Sequence, residues 1–123
     1  MNKPTVVIID DDRSFVAALS IFLERRGYHT VQAFTGQEGL ARLRNNGIDL
    51  GIIDVHLPDI SGIDVAQQMC RSGATPPLIL ISSDHRPEVR QACREAGAQL
   101  FLPKPIGPER LLSAIADALG NKM

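Results

Sequence analysis

No sign of charge is in excess in this chain: 13 lysines and arginines stand against 14 acids over 123 residues. Without a basic footprint, direct nucleic-acid binding is not expected. Long apolar runs are also missing. Those present are far too short to span a bilayer, and Met1-Asn2-Lys3-Pro4 leads into no signal-peptide core. No membrane association is expected, and the cytoplasm is the expected compartment. Cysteine is scarce. Cys70 and Cys93 sit in helix-like stretches with neither a C-x-x-C pair nor a Cys/His cluster, so they read as reduced thiols rather than ligands. Repeats, low-complexity tracts and interdomain linkers are absent, and the length predicts one domain over 1–123 with a core from about 4 to 120.

What is present is alternation. The 44% apolar content fits an ordinary globule, and strand-like and helix-like segments alternate five times. That pattern predicts βα units on a parallel sheet. Strands are expected near 5–9, 29–34, 49–53, 78–82 and 99–102. The unbroken runs Val6–Ile9 and Leu78–Ile81 suit central strands covered on both faces, whereas His29-Thr30-Val31-Gln32-Ala33 mixes polar and apolar residues and reads as an edge. Helix one carries Phe15, Ala18, Leu19, Phe22 and Leu23 at helical spacing and should stop at Gly27. A capping box, Thr35-Gly36-Gln37-Glu38, opens helix two, which should end at Asn46-Gly47. Helix three should run from Ser61 or Gly62 to Gly73. Pro87-Glu88 and Pro108-Glu109 open helices four and five, with Gly97 and Gly120 just past their ends.

Three of the apolar runs end in residues fit for phosphate or metal chemistry. Thr5–Ile9 runs into Asp10-Asp11-Asp12, Leu50–Ile53 into Asp54, and Leu100–Leu102 into Pro103-Lys104-Pro105. Parallel strands put all three ends on one edge, where open α/β sheets bind ligands. Like charges so close repel, so the cluster makes sense around a cation. An all-oxygen site with carboxylates and room for water suits Mg²⁺. A further carboxylate could act as a nucleophile toward phosphorus. Ser82, ending strand four, could donate to one phosphoryl oxygen and Lys104 could offer an ammonium to another. Simpler readings exist for each. The acids at 10–12 could cap helix one, and Asp12 is expected to do only that or to lie on the surface. Asp54 could belong to a turn, Ser82 could be a core-edge hydroxyl, and Lys104 could be solvated. The side chains of His29, His56 and His85 are expected to face solvent.

In order and spacing, the acids Asp10-Asp11, the stretch Asp54-Val55-His56-Leu57-Pro58-Asp59-Ile60-Ser61-Gly62, Ser82 and Lys104-Pro105 resemble a response-regulator receiver domain of two-component signalling, of the chemotaxis-regulator-like kind. The resemblance covers essentially the whole chain. It implies a flavodoxin-like, doubly wound (βα)₅ fold with strand order 2-1-3-4-5. It also implies Asp54 as phosphoacceptor and Asp10, Asp11, Asp54 and the His56 backbone carbonyl as oxygens around Mg²⁺. Ser82 takes the place of the switch hydroxyl, Lys104 that of the phosphate-binding lysine and Phe101 that of the switch aromatic. Lys104-Pro105 would be cis. Ser83, where Ala or Gly is usual, and Pro103 depart from the pattern.

The implied function is a switch driven by phosphoryl transfer from a sensor histidine kinase or phosphotransfer protein, read by a downstream protein target. Such a domain is not an enzyme in the usual sense, although it catalyses its own phosphorylation and dephosphorylation. A homodimer through helix four, strand five and helix five is one expected use of the switching face. Two other classes compete. Ile9-Asp10-Asp11-Asp12 holds the Asp-x-Asp of haloacid-dehalogenase-type Mg²⁺ phosphohydrolases, although Ser14 stands where Thr or Val is usual and no cap insertion is present. The third class is an interaction module independent of phosphorylation. The tail Gly120-Asn121-Lys122-Met123 reads more as an end than as a linker, which favours a stand-alone regulator.

Overall fold

A computed structural model describes residues 3–120, so Asn121-Lys122-Met123 and the leading Met1-Asn2 lie outside the described residues. Ten elements alternate: β1 (Thr5–Ile9), α1 (Arg13–Glu24), β2 (His29–Ala33), α2 (Gly36–Leu43), β3 (Leu50–Asp54), α3 (Gly62–Arg71), β4 (Leu78–Ser82), α4 (Pro87–Glu95), β5 (Leu100–Pro103) and α5 (Pro108–Gly120). All strand pairs are parallel, in the order β2-β1-β3-β4-β5. The doubly wound, flavodoxin-like (βα)₅ fold is therefore as expected.

Burial explains why these runs are strands. Every residue of β3 and β4 is buried, while β2 and β5 are only partly so, which is what central and edge positions require. Side chains alternate between faces along each strand. Val6, Ile8, Leu50, Ile52, Ile79, Ile81 and Leu102 pack with Val16, Leu19 and Leu23 of α1 and Leu111 and Ile115 of α5. Val7, Ile9, Ile53, Leu78 and Leu80 pack on the other face with Leu40 and Leu43 of α2, Val65 and Met69 of α3 and Cys93 of α4. Two apolar layers thus clamp one sheet.

Helix ends follow local chemistry. Asp12 caps α1, its carboxylate accepting from Phe15 N–H (3.1 Å), so its expected structural role holds. Thr35 caps α2 through Glu38 N–H, but Glu38 returns its carboxylate to Phe34 N–H (2.7 Å) rather than to the cap residue. Ser61 and Asp64 form a full capping box on α3, a signal the sequence reading did not pick out. Helices α1 and α2 end at Glu24 and Leu43, short of the expected Gly27 and Asn46-Gly47, because the N–H groups of Arg26 and Asn45 bond back only three residues, to Leu23 and Arg42, and tighten the turns. Gly47, like Gly27, Gly73 and Gly97, has the positive φ that closes the turn beyond a helix. Gly120 instead belongs to α5 itself.

One glycine is needed for space, not conformation. Gly62 opens α3 directly against the end of β3, its N–H donating to Val55 O (2.8 Å). A Cβ there would collide with the backbone carbonyl of Asp54, whose carbon would lie only 2.9 Å away. In a helix, Ala is ordinarily favoured over Gly by about 0.5–1 kcal/mol. Displacing a buried strand end costs more, about 1–3 kcal/mol for overpacking. Gly62→Ala is therefore expected to lower stability by about 1–2 kcal/mol, read as a lower urea midpoint; an unchanged or higher midpoint would refute the close fit.

Candidate functional site

The carboxyl ends of β1, β3 and β5 bring four charged groups together. Lys104 Nζ lies 2.7 Å from Asp10 Oδ2 and 2.9 Å from Asp54 Oδ2. Carboxylate oxygens of Asp10, Asp11 and Asp54 lie within 4.8 Å of one another. Asp10 is 1% exposed and Asp54 8%, whereas Asp11 stands open to solvent. The pocket is thus deep on the β1–β3 side and open at Asp11.

The carboxylates of Asp10 and Asp54 are held by backbone as well as by the lysine. Asp10 Oδ1 accepts from Asp12 N–H (3.0 Å), and Asp54 Oδ1 accepts from His56 N–H (3.0 Å), which places the His56 peptide at the pocket's border. The His56 ring points outward, 62% exposed, as expected. Ser82 is fully buried at the end of β4, one residue beyond Ile81, the partner of Asp54. Its Oγ accepts from Asp84 N–H (2.9 Å), leaving the hydroxyl hydrogen free to donate elsewhere. Phe101 is placed apart from the acids. It pairs with Leu80, packs half-buried on the α4 face, and carries the Arg90 guanidinium 5.0 Å above its ring. Lys104-Pro105 is cis, as the resemblance implied.

Electrostatics set the resting state. Burial pushes the Asp10 carboxyl above its ordinary range, with the Asp54 charge adding to it, and the hydrogen bonds from Lys104 and Asp12 only partly offset this. For Lys104 burial acts against the charge, but its hydrogen bonds to Asp10 and Asp54 outweigh it and raise the ammonium above its usual value. Burial thus works against both charges, and three carboxylates share a single ammonium. An all-oxygen donor set with no thiolate or imidazole matches a hard divalent ion such as Mg²⁺. Asp10, Asp11, Asp54 and the His56 carbonyl are the residues that would hold it.

Several partners at the rim carry no sequence signal. Asp84 accepts two bonds from Arg86, at 2.9 and 2.7 Å, and this guanidinium holds its carboxyl down to about 2. His56 Nε2 lies 3.8 Å from the same carboxylate. Phe15 packs beneath Lys104, with Nζ 4.5 Å from its ring centre. Asp59 accepts from the N–H groups of Gly36 (2.7 Å) and Gln37 (2.9 Å), fastening the loop after β3 onto the first turn of α2. Side chains on loops make most of these contacts, and apolar periodicity does not report on loops.

Residues 6–116 match the response regulator receiver domain family. The chain belongs to that family. As a receiver domain it resembles the transcriptional regulatory protein PhoP of alkaline phosphatase synthesis from Bacillus subtilis, at 31% identity over 97% of this chain and 49% of that protein. It likewise resembles the transcriptional regulatory protein KdpE of Mycobacterium tuberculosis, at 34% identity over 93% of this chain and 50% of KdpE. The chain spans about half, or less, of the length of the curated relatives it matches. Among solved structures, a CheY-like receiver domain from Methanospirillum hungatei superposes with a TM-score of 0.90 at 28% identity, covering 98% of this chain and 97% of that one. Chemotaxis response regulator CheY4 of Vibrio cholerae gives 0.86 at 28%, covering 96% and 100%. Among the described residues no helix of this receiver domain is long and apolar enough to cross a membrane.

The charge balance makes a measurable prediction. Asp10 has its carboxyl raised by folding, so its ionisation opposes the native state above that raised value, and the penalty disappears once the group is protonated. Asp10→Asn removes the penalty while Lys104 keeps Asp54. In Mg²⁺-free buffer at neutral pH the variant is expected to be more stable by about 1 kcal/mol. The gain should shrink as pH falls and wild-type Asp10 takes up its proton. Parallel urea titrations at several pH values would show this; a variant less stable at neutral pH would contradict it.

Proposed function

We propose that this receiver domain accepts a phosphoryl group on Asp54 from the phosphohistidine of a sensor histidine kinase or phosphotransfer protein. The observation that carries the reading is the placement of Lys104 Nζ between Asp10 and Asp54, with Asp11 beside them. A carboxylate oxygen of Asp54 would form the new P–O bond as the P–N bond to the donor imidazole breaks, with the electron pair leaving on nitrogen, which then takes a proton. Mg²⁺ held by Asp10, Asp11, Asp54 and the His56 carbonyl would neutralise charge on the transferring group. Lys104 is already at bonding distance from Asp54 and would shift its hydrogen bond to a phosphoryl oxygen. Ser82, with its hydroxyl hydrogen uncommitted, would donate to another. Phosphohistidine donors and Mg²⁺ point to the cytoplasm.

The modified aspartate would carry roughly 1.5–2 negative charges at neutral pH where the free carboxylate carries one, and would place them further out, on the phosphoryl oxygens. Drawing Ser82 toward it would pull on Asp84 N–H and so on the segment leading into α4. Phe101 is only half-buried, and turning it inward would release Arg90 from its ring. The face of α4, β5 and α5 would then present a different surface to a downstream protein or to a second copy of the chain. A phosphohydrolase of the haloacid-dehalogenase type is disfavoured by the family assignment. A module indifferent to phosphorylation leaves the converging acids and lysine without a role.

Acetyl phosphate with Mg²⁺ is a sufficient donor for the test. Intact mass should rise by one phosphoryl group in the parent chain, and no increment should form when a chelator is present from the start. It should be absent in Asp54→Asn. A phosphorylated Asp54→Asn protein would sink the assignment.

A further inference from the structure

In the segment Pro103-Lys104-Pro105, two of three residues have no N–H, so Lys104 holds its one backbone donor. That donor goes to Ser82 O at 2.8 Å. Its carbonyl is met from the same direction. His85, in the loop between β4 and α4, has Nε2 3.0 Å from Lys104 O. A carbonyl oxygen only accepts, so Nε2 carries the hydrogen and donates it. The backbone of Lys104 is thus gripped at its N–H and at its C=O, and both holds come from Ser82–Arg86. A lysine stem is flexible. What fixes the origin of this stem is the pair of bonds to Ser82 and His85, and what fixes its far end is Asp10, Asp54 and the Phe15 ring.

We propose that His85 is a positioning residue: its ring donates to the Lys104 carbonyl, ties the loop after β4 to the lysine turn, and keeps Nζ aimed between Asp10 and Asp54. The need for it arises from Pro103 and Pro105, which deprive this turn of the backbone donors that would otherwise anchor it. Because His85 lies only three residues beyond Ser82, a movement of the Ser82 hydroxyl would reach Lys104 through its backbone as well as through the phosphoryl group. This inference rests on the role proposed above for Lys104.

The test compares the parent chain with His85→Ala and His85→Gln, whose Nε2 can reach the same oxygen. Hydrogen exchange at Lys104 N–H is measured without phosphodonor, and the rate of phosphorylation by acetyl phosphate with Mg²⁺ is measured separately. His85→Ala should speed exchange and slow phosphorylation, each about three- to tenfold, and His85→Gln should restore both to within about twofold of the parent. Matching circular dichroism and urea midpoints would exclude loss of fold. Equal Lys104 exchange in all three proteins overturns the proposal, as does failure of His85→Gln to restore the rate, or faster exchange in His85→Ala with unchanged phosphorylation. If the parent takes no phosphoryl group at all, the phosphoacceptor reading falls, and the exchange arm alone decides whether His85 holds Lys104.

Discussion

The ammonium of Lys104 ties together three strands that are distant in sequence. Its bonds to Asp10 and Asp54 span 94 and 50 residues, and they cross from the edge strand β5 to the two central strands β3 and β1. A parallel sheet makes this meeting possible, because only there do successive strands end on the same side. Two covered faces hold the strands level, so the side chains at their ends arrive in one pocket. Without the lysine, two buried carboxylates would face each other with little to neutralise them. With it, three carboxylates still surround one ammonium, and burial, helped by the Asp54 charge, keeps the Asp10 carboxyl raised. That imbalance is one a divalent cation would relieve.

The same imbalance separates what the site contributes to stability from what it contributes to chemistry. Asp10 sits where burial disfavours its charge, and a neutral residue there would suit the fold better. Its retention makes sense as part of a donor set of oxygens. Lys104 shows the converse balance. Burial opposes its charge, yet two hydrogen bonds more than compensate. A cation so well satisfied by Asp54 can exchange that partner for a phosphoryl oxygen without ever being left bare. Ser82 is poised in a comparable way, accepting one hydrogen bond while its own hydrogen remains available.

Much of this was legible from residue order alone. Val6–Ile9 and Leu78–Ile81 are unbroken apolar runs, and unbroken runs of that length belong to strands covered on both sides. Once β1, β3 and β5 are parallel, Asp10, Asp54 and Lys104 must share an edge, whatever the loops do. The loop contacts are another matter. Asp84 is held by Arg86 two residues on, His85 reaches Lys104 nineteen residues away, and Phe15 slides beneath the lysine only because α1 packs on that face. None of these has a periodic signature. The end of α2 was misplaced for a similar reason: the turn over Arg44–Gly47 tightens through a backbone bond that composition does not specify.

Asp59 fastens the stretch that follows Asp54 to a different helix, and Gly62 presses the far end of that stretch against the Asp54 carbonyl. Between these two fixed points there is no slack to absorb an added or deleted residue. Variation in the length of this connection would shift either α3 or the start of α2 bodily, along with the peptide of His56. Divergent descendants of this chain should therefore lengthen other connections, such as the turn at Arg44–Gly47, and leave the seven-residue bridge from Val55 to Ser61 at its present count.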